Sequence, residues 1–203
     1  MIEQGSNQAF SGIIQLRCTN AEKLELCLKY VKKLAEKDKH ASPISKITLE
    51  KNGYDVYIVP RSILNRLQRL LPLSFGGTVN TTKRLVTRNH LTSKELHRMY
   101  LLFRCFPFSQ GQTVKLDDKP LKLLKVSKQI TALELASGRR IKLEPGQKLE
   151  LLRRFKAHVA STKPRLELLH PVTFQPVIPE NSPIKKALAY DVVVIEDKLY
   201  IVT

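Results

Sequence analysis

The chain has 203 residues, of which 42% are apolar, and its formal net charge is +17. This length and apolar content suit packed domains rather than wholesale disorder, and no apolar run approaches the roughly 20 residues of a membrane-spanning helix. Segment 1–10 is polar and does not have the layout of a signal peptide. We therefore expect a cytoplasmic protein that does not enter a membrane.

The positive charge is concentrated in two segments. Residues 61–104 contain nine basic side chains and one acidic one, and residues 139–165 contain nine and two, so these segments hold 15 of the 17 net charges. A merely soluble surface alternates in sign, whereas such segments suit nucleic acid, an acidic membrane surface or an acidic protein. We favour nucleic acid, because arginine predominates in the first segment and its planar fork matches phosphate oxygens. The predicted RNA-binding residues are Arg61, Arg66, Arg69, Lys83, Arg84, Arg88, Arg98, Arg139, Arg140, Arg153, Arg154 and Lys156.

The first part of the chain predicts a mixed α and β domain. Alternation predicts a strand over residues 11–18, and Asn20 then caps a helix. Six apolar residues share one face of that helix: Leu24, Cys27, Leu28, Val31, Leu34 and Ala35. After Pro43, strands 44–51 and 54–59 flank Asn52-Gly53, the strongest short signal for a hairpin turn.

A second helix and a further strand complete this domain. Residues 62–71 read as a helix, with apolar residues on one side and Arg66 and Arg69 on the other. Gly76-Gly77 breaks the chain before a strand over residues 78–87. The order βαββαβ is the ferredoxin-like pattern, and it predicts a first domain over residues 1–92.

The rest of the chain reads as β structure, so the predicted fold class is α+β. Thr92-x-x-Glu95 permits a helix capping box, but the alternation from Met99 to Cys105 favours a strand. Turn signals then recur every 8–12 residues, between short strands at 113–116, 121–126, 132–135 and 141–143. Such spacing predicts an SH3-like barrel over residues 93–155. Residues 156–203 predict a further small β module, ending in a hairpin about Glu196-Asp197-Lys198.

We expect no catalytic site, metal or cofactor. Cys18, Cys27 and Cys105 lie in apolar segments without Cys-x-x-Cys pairs and read as small buried side chains. The five histidines have no metal-ligand spacing, and Asp117-Asp118 stands in a turn, where Asp is favoured for backbone reasons. Aromatic residues are sparse and we expect Tyr100, with most of the phenylalanines, to lie in a core. Binding that follows phosphates and RNA shape is therefore favoured over base stacking.

Five segments carry a resemblance to a known family: Ile44–Ile58, Phe75–Gly77, Lys83–Thr87, Leu166–Phe174 and Asp191–Val202. They resemble the large-ribosomal-subunit nuclear export adaptor family, in its archaeal branch. The resemblance implies docking on the intersubunit face of the large subunit, around the tRNA exit region and the mobile stalk. The expected partners are thus ribosomal RNA and stalk proteins, bound during subunit assembly, quality control or export-type escort by a monomer.

A second resemblance concerns the barrel. Residues 111–126 and Ser137–Arg140 are similar to the barrel of the hypusine-carrying translation factor, although only residues 127–130 stand where that factor has its lysine loop. The adaptor family begins with Cys-x-x-Cys zinc modules that this chain does not contain, so their role is not carried over. Two alternatives stay open: a translation factor that binds a ribosomal tRNA site, and an RNA-processing enzyme.

Overall fold

The computed structural model describes residues 10–88, 95–144, 146–183 and 185–202. The chain divides into two compact units, Met1–Pro107 and Phe108–Thr203. Within the described ranges, no helix is both long and apolar enough to cross a membrane.

The first unit is a five-stranded sheet with two helices. Its elements are β1 (Gly12–Arg17), α1 (Ala21–Glu36), β2 (Ile44–Glu50), β3 (Gly53–Ile58), α2 (Arg61–Phe75), β4 (Gly77–Arg88) and β5 (Glu95–Cys105). The predicted cap is confirmed, because Asn20 Oδ1 accepts the Lys23 amide at 3.0 Å. Helix α2 continues past the predicted end at Leu71 and through a buried Pro72, ending where the Gly76 amide bonds to the Pro72 carbonyl at 3.2 Å.

The strand β5 is the main difference from the predicted topology. The sheet order is β2-β3-β1-β5-β4, so β5 lies between β1 and β4 and runs parallel to β1. A ferredoxin-like domain ending near residue 92 would instead place β4 beside β1. The alternation from Met99 to Cys105 predicted a strand correctly, but period-two burial shows which face of a strand is buried and not which sheet it joins. Strand β5 therefore belongs to the first sheet, beyond the predicted domain boundary at residues 92 and 93.

Both helices pack on the same face of this sheet. Buried side chains of β1, β3 and β5, such as Ile14, Val56 and Phe103, form one cluster with those of α1 and α2. Burying each such aliphatic or aromatic side chain contributes about 1.5–3 kcal/mol. The opposite face of the sheet carries no helix formed by the described residues of this unit, and its side chains form the surface described below.

Close strand approach explains two glycines. A Cβ on Gly12 would lie 2.1 Å from the Met99 carbonyl oxygen, and one on Gly53 would lie 1.8 Å from that of Leu16.

The pairing of β2 with β3 fixes the position of the hairpin turn. Gly53 is the first residue of β3 and is paired with Glu50. The turn of the β2–β3 hairpin is therefore Lys51-Asn52, one residue before the predicted Asn52-Gly53.

The second unit holds two antiparallel sheets. The first is ordered β10-β6-β7-β8-β9 and the second β13-β12-β11-β14-β15. Their strands are β6 (Thr113–Leu116), β7 (Lys119–Val126), β8 (Ile130–Glu134), β9 (Arg140–Leu143), β10 (Glu150–Leu151), β11 (Phe155–Ser161), β12 (Glu167–Leu169), β13 (Pro176–Val177), β14 (Ala189–Ile195) and β15 (Lys198–Ile201).

Two turns in this unit agree with the sequence pattern. The predicted turn at Asp117-Asp118 is confirmed, and the hairpin predicted about Glu196-Asp197-Lys198 turns at Glu196-Asp197, because Lys198 begins β15. All four turn residues have positive φ angles, between 46° and 63°. Asp tolerates this left-handed conformation better than most residues do. Leu135, which follows β8, packs in one buried cluster with Val193, Ile195 and Tyr200 of the second sheet. The C-terminal strands therefore pack against the first sheet of the unit.

Candidate nucleic-acid interface

Helix α2 presents part of the first basic segment. Ile63, Leu64 and Leu67 are fully buried, and the helical period places arginines on the other side. Arg61 and Arg69 are exposed and Arg66 is half-buried. None of the three forms an ion pair with a carboxylate in the part of the chain that the structure describes.

Strands β4 and β5 extend beyond the rest of the sheet. Strand β1 pairs with β5 only over Met99–Arg104, so residues 84–88 and 95–98 pair with each other alone. We call this two-stranded extension the ribbon. It contains Arg84, Arg88 and Arg98, three of the predicted RNA-binding residues.

Lys83 and Arg84 lie on opposite faces of β4. Lys83 is opposite Met99, which is buried on the helix side, whereas Arg84 is opposite Arg98. Side chains of directly opposed residues share a face, so the exposed Arg84 and the half-buried Arg98 share the face without helices. The predicted basic segment is therefore divided between the two faces of the sheet.

The face without helices, called here the open face, carries a connected set of rings and cations. The Arg98 guanidinium carbon lies 4.1 Å from the centre of the Phe10 ring, which meets Tyr57 edge-on at 4.9 Å. Lys46 Nζ lies 5.9 Å from the Tyr57 ring, and the Arg84 guanidinium lies 5.2 Å from Tyr100. All these separations are within the range of cation–π or aromatic contacts.

Strand register brings the rings together. Ile13 is opposite Tyr57 on one side and Tyr100 on the other, and only 8% of it is exposed. Tyr57 and Tyr100 are half-buried. The expectation that Tyr100 lies in the core is therefore wrong, because its neighbours Met99 and Leu101 face the helices instead.

The far end of the open face is a groove of about 860 Å³. Arg17 and Arg104 are paired in register there, and Arg104 is exposed. The Arg17 guanidinium donates to Asp55 Oδ1 at 2.6 Å, which neutralises that carboxylate. Sequence reasoning missed Arg17, Lys46 and both aromatic residues Phe10 and Tyr57, since nothing local marks them as neighbours of the basic segment.

The second unit presents Arg139 and Arg140 at the β8–β9 turn. Gly138 takes a positive φ of 69° there, and the Arg139 amide donates to the Ser137 hydroxyl at 3.3 Å. The Ser137 hydroxyl in turn donates to Glu134. Both arginine side chains are exposed. The turn therefore presents two positive charges that are not part of the packed core.

Arg154 has a different role from its neighbours. Its Nε donates to Thr113 Oγ1 at 3.2 Å, and its guanidinium also donates to the Gly111 carbonyl. Arg153 lies over the Phe155 ring at 5.3 Å, and Lys156 is exposed on β11. Arg154 thus joins the start of β6 to the segment before β11, which gives it a structural role that the sequence did not indicate.

The three cysteines converge although 78 residues separate Cys27 from Cys105. The two Sγ atoms lie 4.0 Å apart. The Cys105 thiol and burial raise the pKa of Cys18 far above its ordinary value. The Cys18 thiol lowers the pKa of Cys105, but Cys27 and burial raise it more, to about 12. Protonated thiols are poor nucleophiles and poor metal ligands. The described residues include no group of three or more His, Cys, Asp or Glu placed to hold a metal ion.

Comparison with known proteins connects the first unit to one family. Residues 9–104, just under half of the chain, match the family model described as NMD3, second domain. The matched range extends past β4 and includes nearly all of β5, in agreement with the five-stranded sheet. The chain matches no curated protein significantly.

Proposed function

We propose that this chain is a member of the NMD3 family, of its archaeal type, and a non-catalytic factor that binds the large ribosomal subunit through RNA. The family match of residues 9–104 agrees with the resemblance to the large-subunit export adaptors. The observation that carries the RNA part is a set of exposed arginines, on α2 and at the β8–β9 turn, that form no ion pair within the described ranges.

Unpaired arginines support an anionic partner on energetic grounds. Like charges repel each other, so clustered arginines destabilise the fold. A bound anion removes this repulsion. Arginine binds phosphate with two parallel hydrogen bonds, whereas lysine acts as a point charge. The predicted residues on α2 and at the turn are all arginines, which favours ribosomal RNA over a generally acidic surface.

The carboxylates support a binding role rather than catalysis. Asp55 is held by Arg17, and Asp118 pairs with Lys115 at 2.5 Å in the β6–β7 turn. Phosphodiester cleavage with metal ions needs several carboxylates around one point. The carboxylates of Asp55 and Asp118 instead form ion pairs at two separate places.

The remaining parts of the proposal follow from the resemblance. The second unit would provide an SH3-like barrel like that of the hypusine-carrying factor, followed by a smaller β module. The protein would act in the cytoplasm as a monomer on the intersubunit face, near the tRNA exit region and the mobile stalk. This docking would serve subunit assembly, quality control or export-type escort.

Cosedimentation of the full chain with purified ribosomal subunits tests the proposal. We expect the parent to pellet with large subunits and not with small ones. Arg139→Glu with Arg140→Glu should weaken this binding several-fold, whereas Lys32→Glu with Lys33→Glu, an equal charge change on the exposed side of α1, should weaken it less. Binding to neither subunit, or equal binding to both, would refute the proposal.

A further inference from the structure

We propose that the open face of the first sheet is a binding site for single-stranded RNA, with Tyr57 and Tyr100 as base-stacking surfaces and Arg84 and Arg98 as phosphate ligands. This inference rests on the proposed function and specifies the RNA chemistry of one surface. It adds base stacking to the binding of phosphates and RNA shape that the sequence favours.

The first observation is the like-charge pair at the ribbon. Arg84 and Arg98 are directly opposed across an antiparallel ladder, an arrangement that destabilises a sheet when both residues carry the same charge. Neither forms an ion pair with a carboxylate in the described ranges; Glu95, the nearby acid on β5, lies 3.7 Å from His97. A phosphate between the two guanidinium groups would remove the repulsion.

The second observation is the accessibility of the aromatic rings. Phe103 of the helix-covered face is fully buried, whereas Phe10, Tyr57 and Tyr100 of the open face are only half-buried. Ile13 forms the floor between the two tyrosines and lies opposite both. Rings held apart on a strand framework present their faces at fixed positions, at which unpaired bases can stack.

The cations are already placed beside the rings. Arg84 lies over Tyr100 and Arg98 over Phe10, at 5.2 and 4.1 Å. A guanidinium plane stacks with bases as an aromatic ring does, so these pairs offer adjacent stacking and phosphate groups without ordering new side chains. Binding therefore loses little conformational entropy.

The charge of this face favours RNA over an acidic protein. Its cations, Lys46, Arg84, Arg98 and Arg104, have no carboxylate partner among the described residues. They outnumber the acids of this face, because Asp55 is neutralised by Arg17 and Glu50 lines the groove at the far end. An acidic protein would satisfy the cations but leave the accessible parts of the rings unused. A base-paired helix would also leave them unused, because its bases are stacked on each other.

Oligonucleotide binding by the full chain tests the inference. The chain contains six tyrosines and no tryptophan, so the part of the fluorescence quenching that disappears in the phenylalanine pair belongs to Tyr57 and Tyr100. Filter binding gives the affinity of every variant. We would titrate the parent with a dodecamer of uridine and with the matching RNA duplex. The variants are Tyr57→Leu with Tyr100→Leu, Tyr57→Phe with Tyr100→Phe, and Arg84→Gln with Arg98→Gln. Lys32→Gln with Lys33→Gln on α1 is the charge-matched control.

We expect fluorescence quenching by the single strand and not by the duplex. The leucine pair should lose about tenfold or more in affinity, since stacking on each ring contributes substantially to binding, whereas the phenylalanine pair should bind like the parent. The glutamine pair should lower the slope of log affinity against log salt by about 1.4, at roughly 0.7 per phosphate contact. The lysine control should change the slope less, and thermal unfolding identifies any variant that fails to fold.

Three results would overturn the inference: no quenching in the parent, full affinity in the leucine pair, or equal loss in the phenylalanine pair. If the leucine pair kept RNA affinity but lost binding to large subunits, the open face would instead be a protein-binding surface. Cosedimentation of the parent with large subunits separates failure here from failure of the proposed function, since that binding also involves the second unit.

Discussion

Arg84 and Arg98 face each other directly across the β4–β5 ladder, on the open face of the first sheet. Changing Arg84 to Glu replaces a repulsion from Arg98 with an attraction to it, and each of these interactions amounts to about 0.2–1 kcal/mol. The change also removes the cation–π contact with Tyr100, which contributes about 0.5–1 kcal/mol. We therefore expect Arg84→Glu to leave the stability unchanged or to raise it by up to about 1 kcal/mol at low salt. The same change should weaken RNA binding several-fold.

Urea unfolding at low and at high salt measures this effect. Any gain should shrink at about 1 M salt, where the screening length is roughly 3 Å. Loss of more than about 1 kcal/mol at low salt would contradict the repulsion argument.

A second prediction concerns the whole basic surface. If about six phosphates are contacted, log affinity for ribosomal RNA should fall against log salt with a slope of roughly −4 to −5. Filter binding between low and physiological salt measures the slope. A slope near zero would mean that the basic segments are solvated surfaces without an RNA role.

Substitutions of the arginines of the second unit should differ in their effects on stability and on RNA binding. Arg139→Glu with Arg140→Glu changes exposed side chains and should shift stability by only about 0.5 kcal/mol while weakening RNA binding several-fold. Arg154→Glu should instead destabilise by about 1–3 kcal/mol, because it removes the hydrogen bonds to Thr113 and to the Gly111 carbonyl, each of which contributes about 0.5–1.5 kcal/mol. Thermal unfolding and filter binding of both variants make the comparison, and equal stability of the two would contradict it.

Gly12 should be intolerant of any side chain. A Cβ there would lie 2.1 Å from the Met99 carbonyl oxygen, which cannot move without separating β1 from β5. We expect Gly12→Ala to cost about 2–3 kcal/mol. Gly138→Ala is the control, since its Cβ would meet open space, and its φ of 69° should cost only about 1 kcal/mol. Urea unfolding measures both, and an equal cost would mean that the strands adjust easily.

The cysteine cluster predicts a loss of stability at high pH. The pKa of Cys105 rises from 9.0 to about 12 in the folded chain. Between these values the unfolded chain has released the thiol proton while the folded chain retains it, so stability falls as pH rises through this window. Below pH 9 the contribution of the protonated Cys105 thiol to the stability is fully present. The decline in urea midpoint from pH 8 to pH 10 should be shallower in Cys105→Ala than in the parent, and an equal decline would contradict the shifted pKa.

The sequence by itself determined most of the elements and the chemistry they carry. Asn20 started α1 because its side chain satisfies a free helix amide, and the apolar period of α2 predicted its buried side and its arginines. The turn at Asp117-Asp118 followed from the ability of Asp to take positive φ. These are local effects, which act between residues a few positions apart and are therefore visible in the sequence.

Only the tertiary structure decided which residues became neighbours. Strand β5 joined the first sheet because pairing with both β1 and β4 satisfies the hydrogen bonds on both of its edges, which no periodicity reveals. That insertion placed Tyr100 beside Ile13 and Arg98 opposite Arg84, and so created the open face. In the same way Arg154 bonds to the start of β6 and Cys27 meets Cys105 through contacts distant in the chain. Register and sheet order result from burial and backbone pairing summed over the whole unit, and a single residue type cannot encode them.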